Sequence, residues 1–292
     1  MTLTRVLTAL VLMPAAIAIV LFTPTWAVAI AVAVFTVLAL WEYFALGDAI
    51  GHRAHRLWTV FCALLVIYVQ WNATPFKHRG AEAGSLLSGH DHFYRNEAPY
   101  SYLVFFVFVV GLTVLTLFTR RPLVESLPSI GSSTGAFLLV AFPLSFAVRL
   151  HGIGDPFEGP RLLLFALALT WASDSVAYFA GRAVGKHPLA PKISPKKTWE
   201  GSIAGMFGAL LVAYAFHFWL AIPLPHLTAM AVVGNIAGQM ADLLESACKR
   251  SAGVKDSGGL LPGHGGILDR IDALILCIPV IWYYLVLVNP RV

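Results

Sequence analysis

The sequence predicts an all-α protein: a polytopic integral membrane helix bundle of about nine spans, N-terminus cytoplasmic. Three observations predict it. Of 292 residues, 58% are hydrophobic and only 12% charged, about half the charged fraction of a soluble domain. The apolar residues gather in blocks able to cross roughly 30 Å of hydrocarbon, which takes about 20 helical residues. Lys and Arg concentrate on alternate connections between those blocks.

The first block, 5–23, has one Arg followed by an apolar run. A secretory signal begins similarly, but this run has the length of a span and many spans follow, so it reads as the first helix. The others are 26–46, 57–72, 99–119, 133–150, 161–182, 201–222, 227–248 and 268–288. The third and fifth are the least marked, being short and close to polar residues. Gly201, Gly205, Gly234 and Gly238 mark close helix packing. No long internal repeat is visible, which weighs against a transporter made of two related halves.

Two parts are expected. Residues 1–150 carry the N-terminal transmembrane helices, with a polar non-cytoplasmic loop at about 72–99, and 151–292 form a C-terminal catalytic transmembrane domain. His78, His90 and His92 in that loop are loosely spaced and read as solvated rather than metal-binding. Cys62, Cys248 and Cys277 lie in or beside apolar segments without paired spacing, so they read as small buried hydrophobes.

Alternating spans place fourteen of the 20 Lys and Arg on the side of the N-terminus and six on the other. The positive-inside bias makes the first side cytoplasmic. The net charge of +5 has no basic face apart from membrane segments, so it suits anionic lipid and anionic substrates and not nucleic acid.

Two cytoplasmic connections carry more than charge. Gly181–Gly201 and Ser246–Asp272 are rich in Lys, Arg, Gly and hydroxyls, the mixture that binds phosphate. The first also fits an ordinary positive-inside loop. The second interleaves carboxylates with its cations, and the helix leading into it has a polar stripe: Asn235, Gln239, Asp242, Ser246 and Lys249 share one face. An ionised Asp242 within a span costs about 2.5–3.5 kcal/mol unless paired or wet. It reads as a metal ligand facing a water-filled cavity, against the plainer reading of a salt bridge.

Beyond the loop, Asp269, Arg270 and Asp272 open the last helix behind Gly258, Gly259, Gly263, Gly265 and Gly266. Glycines admit close approach of a phosphate, and a helix N-terminus attracts it. Asp242 and Asp269 are the expected Mg²⁺ ligands, since Mg²⁺ takes one or two carboxylates plus phosphates and waters. Asp174, on a face with Tyr178 and Arg182, is weighed equally as a partner of Arg182 and as part of the cavity. Glu42 reads as structural. Gly181–His187 lacks the spacing and the hydroxyl of a P-loop.

Ser246, Lys249, Arg250, Lys255, Asp256, Gly258, Leu261–Gly266, Asp269, Arg270 and Asp272 resemble the signature of the phosphatidate cytidylyltransferase (CDP-diacylglycerol synthase) family. Ser194–Gly201 and the Asp174, Tyr178 pair are similar to that family too. The resemblance is strong over about the last 130 residues. Before that it rests on hydropathy and the Trp41-Glu42 pair, and 72–99 looks like an insertion. Ala241 stands where many relatives have Gly, and Ala273 where Ser is common; neither change removes a charge.

The resemblance implies an Mg²⁺-dependent nucleotidyltransferase of phospholipid biosynthesis, joining CTP to phosphatidate to give CDP-diacylglycerol and pyrophosphate. A second cation, monovalent or divalent, stays open. The implied catalytic residues are Asp242, Asp269, Lys255, Asp256 and His264. The implied substrate-binding residues are Ser194, Lys197, Thr198, Ser246, Lys249, Arg250, Arg270 and Asp272. The resemblance also implies a homodimer, and the style of the chain suggests a bacterial inner membrane with the active site facing the cytoplasm. Rival readings are a cytidylyltransferase or CTP-dependent kinase for another membrane lipid, and an anion transporter.

Nine spans require the two ends of the chain to lie on opposite membrane faces. Single-cysteine labelling with a membrane-impermeant reagent is expected to reach only one end from each side.

Overall fold

The computed structural model describes residues 2–73, 89–154, 157–260 and 265–288. Its helices are α1 (Thr2–Phe22), α2 (Thr25–Ala49), α3 (Arg56–Asn72), α4 (Gly89–Phe118), α5 (Ser126–Ala136), α6 (Phe142–His151), α7 (Glu158–Val184), α8 (Trp199–His217), α9 (Leu224–Ser251) and α10 (Leu268–Val288). A 3₁₀ turn at Leu123–Glu125 and a π-helical turn at Phe137–Ala141 join α5 and α6 into one rod, Leu123–His151. Among the described residues, seven helices are long and apolar enough to cross a membrane. The protein is an integral membrane helix bundle.

The fifth span starts earlier than the sequence suggests. Ser126–Ala136 reads as polar, yet its hydroxyls serve the helix and its neighbours. Ser133 Oγ donates to Ser129 O at 2.7 Å and accepts from His55 N at 2.8 Å, and Ser129 Oγ accepts from Arg121 at 3.1 Å. The third span, α3, has 17 residues, fewer than the roughly 20 that hydrocarbon asks for. Part of the expected 72–99 loop is helical, because α4 begins at Gly89. His78 lies outside the described residues.

A small antiparallel hairpin interrupts the all-α pattern between α7 and α8. Strands β1 (Pro188–Ala190) and β2 (Ser194–Thr198) pair Pro188 with Thr198 and Ala190 with Ser194. It is tied down at both ends: Ile193 N donates to Ala190 O at 3.1 Å, and Trp199 N to His187 O at 2.9 Å. His187 Nδ1 stands 2.6 Å from Glu200 Oε1, and Thr198 Oγ1 caps α8 by accepting from Gly201 N at 3.1 Å.

The contacts sort the helix ends into two groups, as alternating spans require. At one face, the α2–α3 and α4–α5 connections meet through Arg121 on Arg53 O, while Arg250 at the end of α9 holds Ile193 O of the hairpin. At the other, Arg149 bonds Gln70, Arg161 reaches Trp219 O, and His226 reaches the Tyr284 hydroxyl.

Two hydrophobic clusters fill the bundle. One gathers Phe165, Leu169, Ala209, Leu227 and Met230 of α7, α8 and α9; the other gathers Leu40, Phe44, Val66, Phe108 and Phe137 of α2, α3, α4 and the α5–α6 rod. Helix α10 serves both, giving Cys277 and Ile281 to the first and Leu268 and Ile275 to the second.

Small residues set the closest approach. Side chains at Gly201, Gly205 and Gly208 would strike α7: a Cβ on Gly205 would lie 2.8 Å from Ser173 Oγ and 3.0 Å from its carbonyl oxygen. Gly234 and Gly238 of α9 face Cys277 and Ala273 of α10 in the same manner. These are the packing glycines expected from the sequence. Gly205→Leu is therefore expected to destabilise the protein by about 1–3 kcal/mol or more through overpacking, read as a lower melting temperature in detergent.

Candidate active site

The site is built where α9, α10, α2 and the hairpin meet at one membrane face. Its frame is the start of α10, whose first backbone N–H groups have no partner within the helix. Glu42, projecting from α2, supplies one. Its Oε1 accepts from Ile267 N at 2.9 Å and its Oε2 from Leu268 N at 2.8 Å. A carboxylate there also meets the positive end of the helix dipole. Glu42 is 8% exposed, so those bonds compensate a charge held out of water.

Asp269 completes the turn from within. Its Oδ2 accepts from Gly266 N at 2.8 Å, as the acidic residue of a capping box does, and from Ser257 N at 2.9 Å. The Ser257 hydroxyl lies 2.9 Å from both Glu42 Oε2 and Asp269 Oδ2, sharing one proton between two carboxylates. Close packing explains two glycines here. A Cβ on Gly258 would stand 2.6 Å from Glu42 Oε1, and one on Gly266 would overlap Ser257 and Glu42. Gly258 and Gly266 make room for Glu42, where the sequence suggested room for a phosphate. Gly265 turns with φ +77°, in the left-handed region.

Lys249 of α9 lies between two acids. Its Nζ bonds Asp269 Oδ1 and pairs with Glu245 Oε2 at 2.6 Å. All three side chains are at most 10% exposed. Lys249, expected to meet substrate, thus has its charge taken up within the protein.

Asp242, Glu245 and Asp272 form a group of carboxylates, one oxygen of each within 4.8 Å of the others. Glu245 Oε1 is buried without a hydrogen-bond partner among the described residues; Oε2 has no hydrogen bond of good geometry beyond its ion pair with Lys249. A buried carboxylate oxygen without a donor is the kind of atom that a cation satisfies. The donor set therefore fits a hard divalent ion such as Mg²⁺. Asp269, the expected partner of Asp242, has both its oxygens in hydrogen bonds.

Lys197 of β2 reaches across to pair with Asp242. Asp174 of α7 lies within electrostatic reach of Asp242, Lys197 and Arg270. Arg182 bonds the Tyr178 hydroxyl at 3.4 Å and is not among the charges that act on Asp174. Asp174, Asp242, Glu245, Asp269 and Asp272 thus outnumber Lys197, Lys249 and Arg270, a crowding of carboxyl groups that a divalent cation would relieve.

The remaining expected residues fall around this centre. Ser246 is buried on α9, Ser194 is half-buried on β2, and Thr198 is the cap of α8. Arg250 holds backbone, donating to Ile193 O at 3.2 Å and Val254 O at 2.9 Å. Lys255 and Asp256 are exposed. His264 lies outside the described residues. On α9 the polar stripe divides by height. Asn235 accepts from the Ser173 hydroxyl at 2.6 Å and Gln239 bonds Ser202, so both join helices, while Asp242 and Lys249 reach the site.

Sequence reasoning missed Glu245 and Ser257 and read Glu42 as structural, which it is. Glu245 had a signal: it stands three residues after Asp242 and four before Lys249, both neighbour spacings on a helix. The stripe through Ser246 drew attention one position away.

Fold and site together define an integral membrane protein with a carboxylate centre at one membrane face, beside a cation-bearing hairpin. The chain belongs to the cytidylyltransferase family, whose model matches residues 3–288. It is similar to the phosphatidate cytidylyltransferase of Haemophilus influenzae, 34% identical over 299 residues, covering 96% of this chain and 97% of that protein. The protein of that name from Bacillus subtilis is 36% identical over 179 residues, 60% of this chain and 66% of its own. One from Staphylococcus aureus (strain COL) is 41% identical over 154 residues, 50% of this chain and 59% of its own.

Glu42→Ala would leave Ile267 N, Leu268 N and part of the Ser257 donor unsatisfied. A loss of at least about 2 kcal/mol is expected, measured by thermal unfolding in detergent, with amide exchange quickening at the start of α10.

Proposed function

We propose that this protein transfers the cytidylyl group of CTP to phosphatidate, releasing pyrophosphate and leaving CDP-diacylglycerol in the membrane, a step of phospholipid biosynthesis. What carries the reading is the match, along 96% of the chain, to a relative named phosphatidate cytidylyltransferase. The charges of the site suit that reaction. An oxygen of the lipid phosphate attacks the α-phosphorus of CTP, and the bond from that phosphorus to the departing pyrophosphate breaks. The attacking oxygen is already anionic, so no strong base is needed. Positioning two polyanions in line, and offsetting their charge, is the main task.

Asp242, Glu245 and Asp272 would hold Mg²⁺, which supplies charge neutralisation at the nucleotide phosphates when bound. This set is preferred to the expected Asp242 and Asp269 pair, because Asp269 is engaged with Lys249, Ser257 and Gly266. Asp269 then acts by fixing the start of α10, and with it Arg270 and Asp272. Lys197, only 31% exposed and set on the hairpin, offers an ammonium at the edge of the carboxylate group. Exposed Lys255 offers another from the loop after α9. Arg250 holds the hairpin against α9, so its part is positioning.

The same reading puts the site at the cytoplasmic face of a bacterial inner membrane. Fourteen of the 20 Lys and Arg fall on the site's side of alternating spans, CTP is cytosolic, and the lipid's acyl chains stay in the bilayer. A homodimer belongs to the reading through the family resemblance.

The test is CDP-lipid formation by the detergent-purified protein from radiolabelled CTP, phosphatidate and Mg²⁺. Asp242→Asn and Asp272→Asn are expected to lower turnover by about 100-fold or more, and chelation of the metal to abolish it. Glu245→Gln is expected to raise the Mg²⁺ concentration for half-maximal rate by about tenfold or more. Failure of the wild type to form CDP-lipid overturns the reaction. Faster turnover with another membrane phosphate than with phosphatidate overturns the lipid. An unchanged Mg²⁺ requirement in Glu245→Gln overturns the ligand set.

A further inference from the structure

A cavity of about 580 Å³, lined by both charged and apolar side chains, opens at the α2–α3 connection, and none of Asp242, Glu245 and Asp272 lines it. Its size lies in the range of ligand pockets, roughly 300–1,000 Å³. Arg53, Arg56 and Arg121 line it, with Asp48 the one acid among its lining residues.

The three arginines differ in what holds them. Arg56 pairs with Asp48 and lies over the rings of Trp41 and Phe44, 5.5 Å and 5.9 Å from their centroids. Arg121 donates to Arg53 O at 2.7 Å and Ser129 Oγ at 3.1 Å. Those acceptors orient the guanidinium and leave its charge in place. Arg53 is exposed, and its guanidinium has no partner among the described residues. His55 adds a further polar atom: its Nε2 is buried without a hydrogen bond. Burial, and next the Arg121 charge, hold this imidazole below its ordinary pKa, so the ring is neutral at neutral pH.

The position of the cavity says what kind of anion reaches it. It lies at the end of α2, less than two turns beyond Glu42, and therefore at the membrane face that carries the carboxylate site. Leu57 and Leu115 form its apolar rim, with Leu57 87% exposed. Leu115 belongs to α4, whose apolar span is only 17% buried and so presents itself to lipid.

We propose that this cavity is a binding site for the headgroup of an anionic phospholipid, separate from the catalytic centre. The phosphate would meet Arg53, whose planar guanidinium suits phosphate oxygens, while Arg121, held by Arg53 O, Ala54 O and Ser129 Oγ, would add its positive charge. The acyl chains would run along Leu57 and the exposed face of α4. The site rests on membrane residence alone and stands whether or not the cytidylyl reaction is the right one.

Native mass spectrometry of the full chain in detergent tests this, with phosphatidylglycerol and phosphatidylcholine of identical acyl chains as probes. The wild type is expected to retain phosphatidylglycerol preferentially. Arg53→Gln is expected to lower that retention about fivefold, the effect of one Arg on binding at an anionic surface. Asp48→Asn, which removes the opposing charge, is expected to raise it. Equal retention of both lipids, or no loss in Arg53→Gln, overturns the proposal. A loss in Asp48→Asn as large as in Arg53→Gln overturns it as well, since shape and not charge would then govern. Displacement of the lipid by millimolar inorganic phosphate overturns the lipid assignment in favour of a soluble anion.

Discussion

A single carboxylate, that of Glu42, holds the start of α10 in place. By accepting from Ile267 N and Leu268 N it fixes where the last helix begins relative to α2. By sharing the Ser257 proton with Asp269 it draws the loop after α9 onto the same point. Asp272 follows one turn along α10, so its place in the carboxylate group depends on that anchor. The interaction is strong because it joins a buried charge to backbone donors at a helix N-terminus, where water is not available to compete.

Burial of charge governs the rest of the centre. Lys249 lies between Glu245 and Asp269 with all three side chains nearly enclosed. An isolated charge at such a depth would cost several kcal/mol, so each of these groups is tolerable chiefly because the others are present. The triad ties the end of α9 to the first turn of α10. Glu245 then has an oxygen without a donor next to Asp242 and Asp272. One arrangement thus stabilises the helix junction and leaves carboxylate free for a cation.

Cationic residues of the hairpin, α9 and the loop after it divide into two groups. Lys249 and Arg250 act within the protein, one on buried acids and the other on the backbone of the hairpin. Lys197 and Lys255 remain accessible from the membrane surface. The hairpin itself is held by Thr198, Glu200, His187 and Arg250. It brings Lys197 to Asp242 from the opposite wall, so a loop that looks like an ordinary positive connection becomes one side of the site.

By itself the sequence determined the membrane bundle, the order of its spans and the polar stretch that borders the carboxylate group. Span-length apolar blocks, the Asp242–Lys249 face and the Lys- and Gly-rich connections are all local patterns, set by helix period and hydrocarbon thickness. Only tertiary structure decided which acids face one another. Glu42 and Leu268 are far apart along the chain, and no periodicity links a residue of α2 to the backbone of α10. Asp269 and Asp272 look equivalent on one helical turn, yet Asp269 reaches back to the Gly266 N–H while Asp272 joins Asp242 and Glu245. Ser126–Ala136 reads as polar in sequence and is helical, with Arg121 and His55 meeting the hydroxyls of Ser129 and Ser133. Glu42 on the start of α10 and His55 on Ser133 are partners distant in sequence, and long-range contact of that kind leaves no spacing to read.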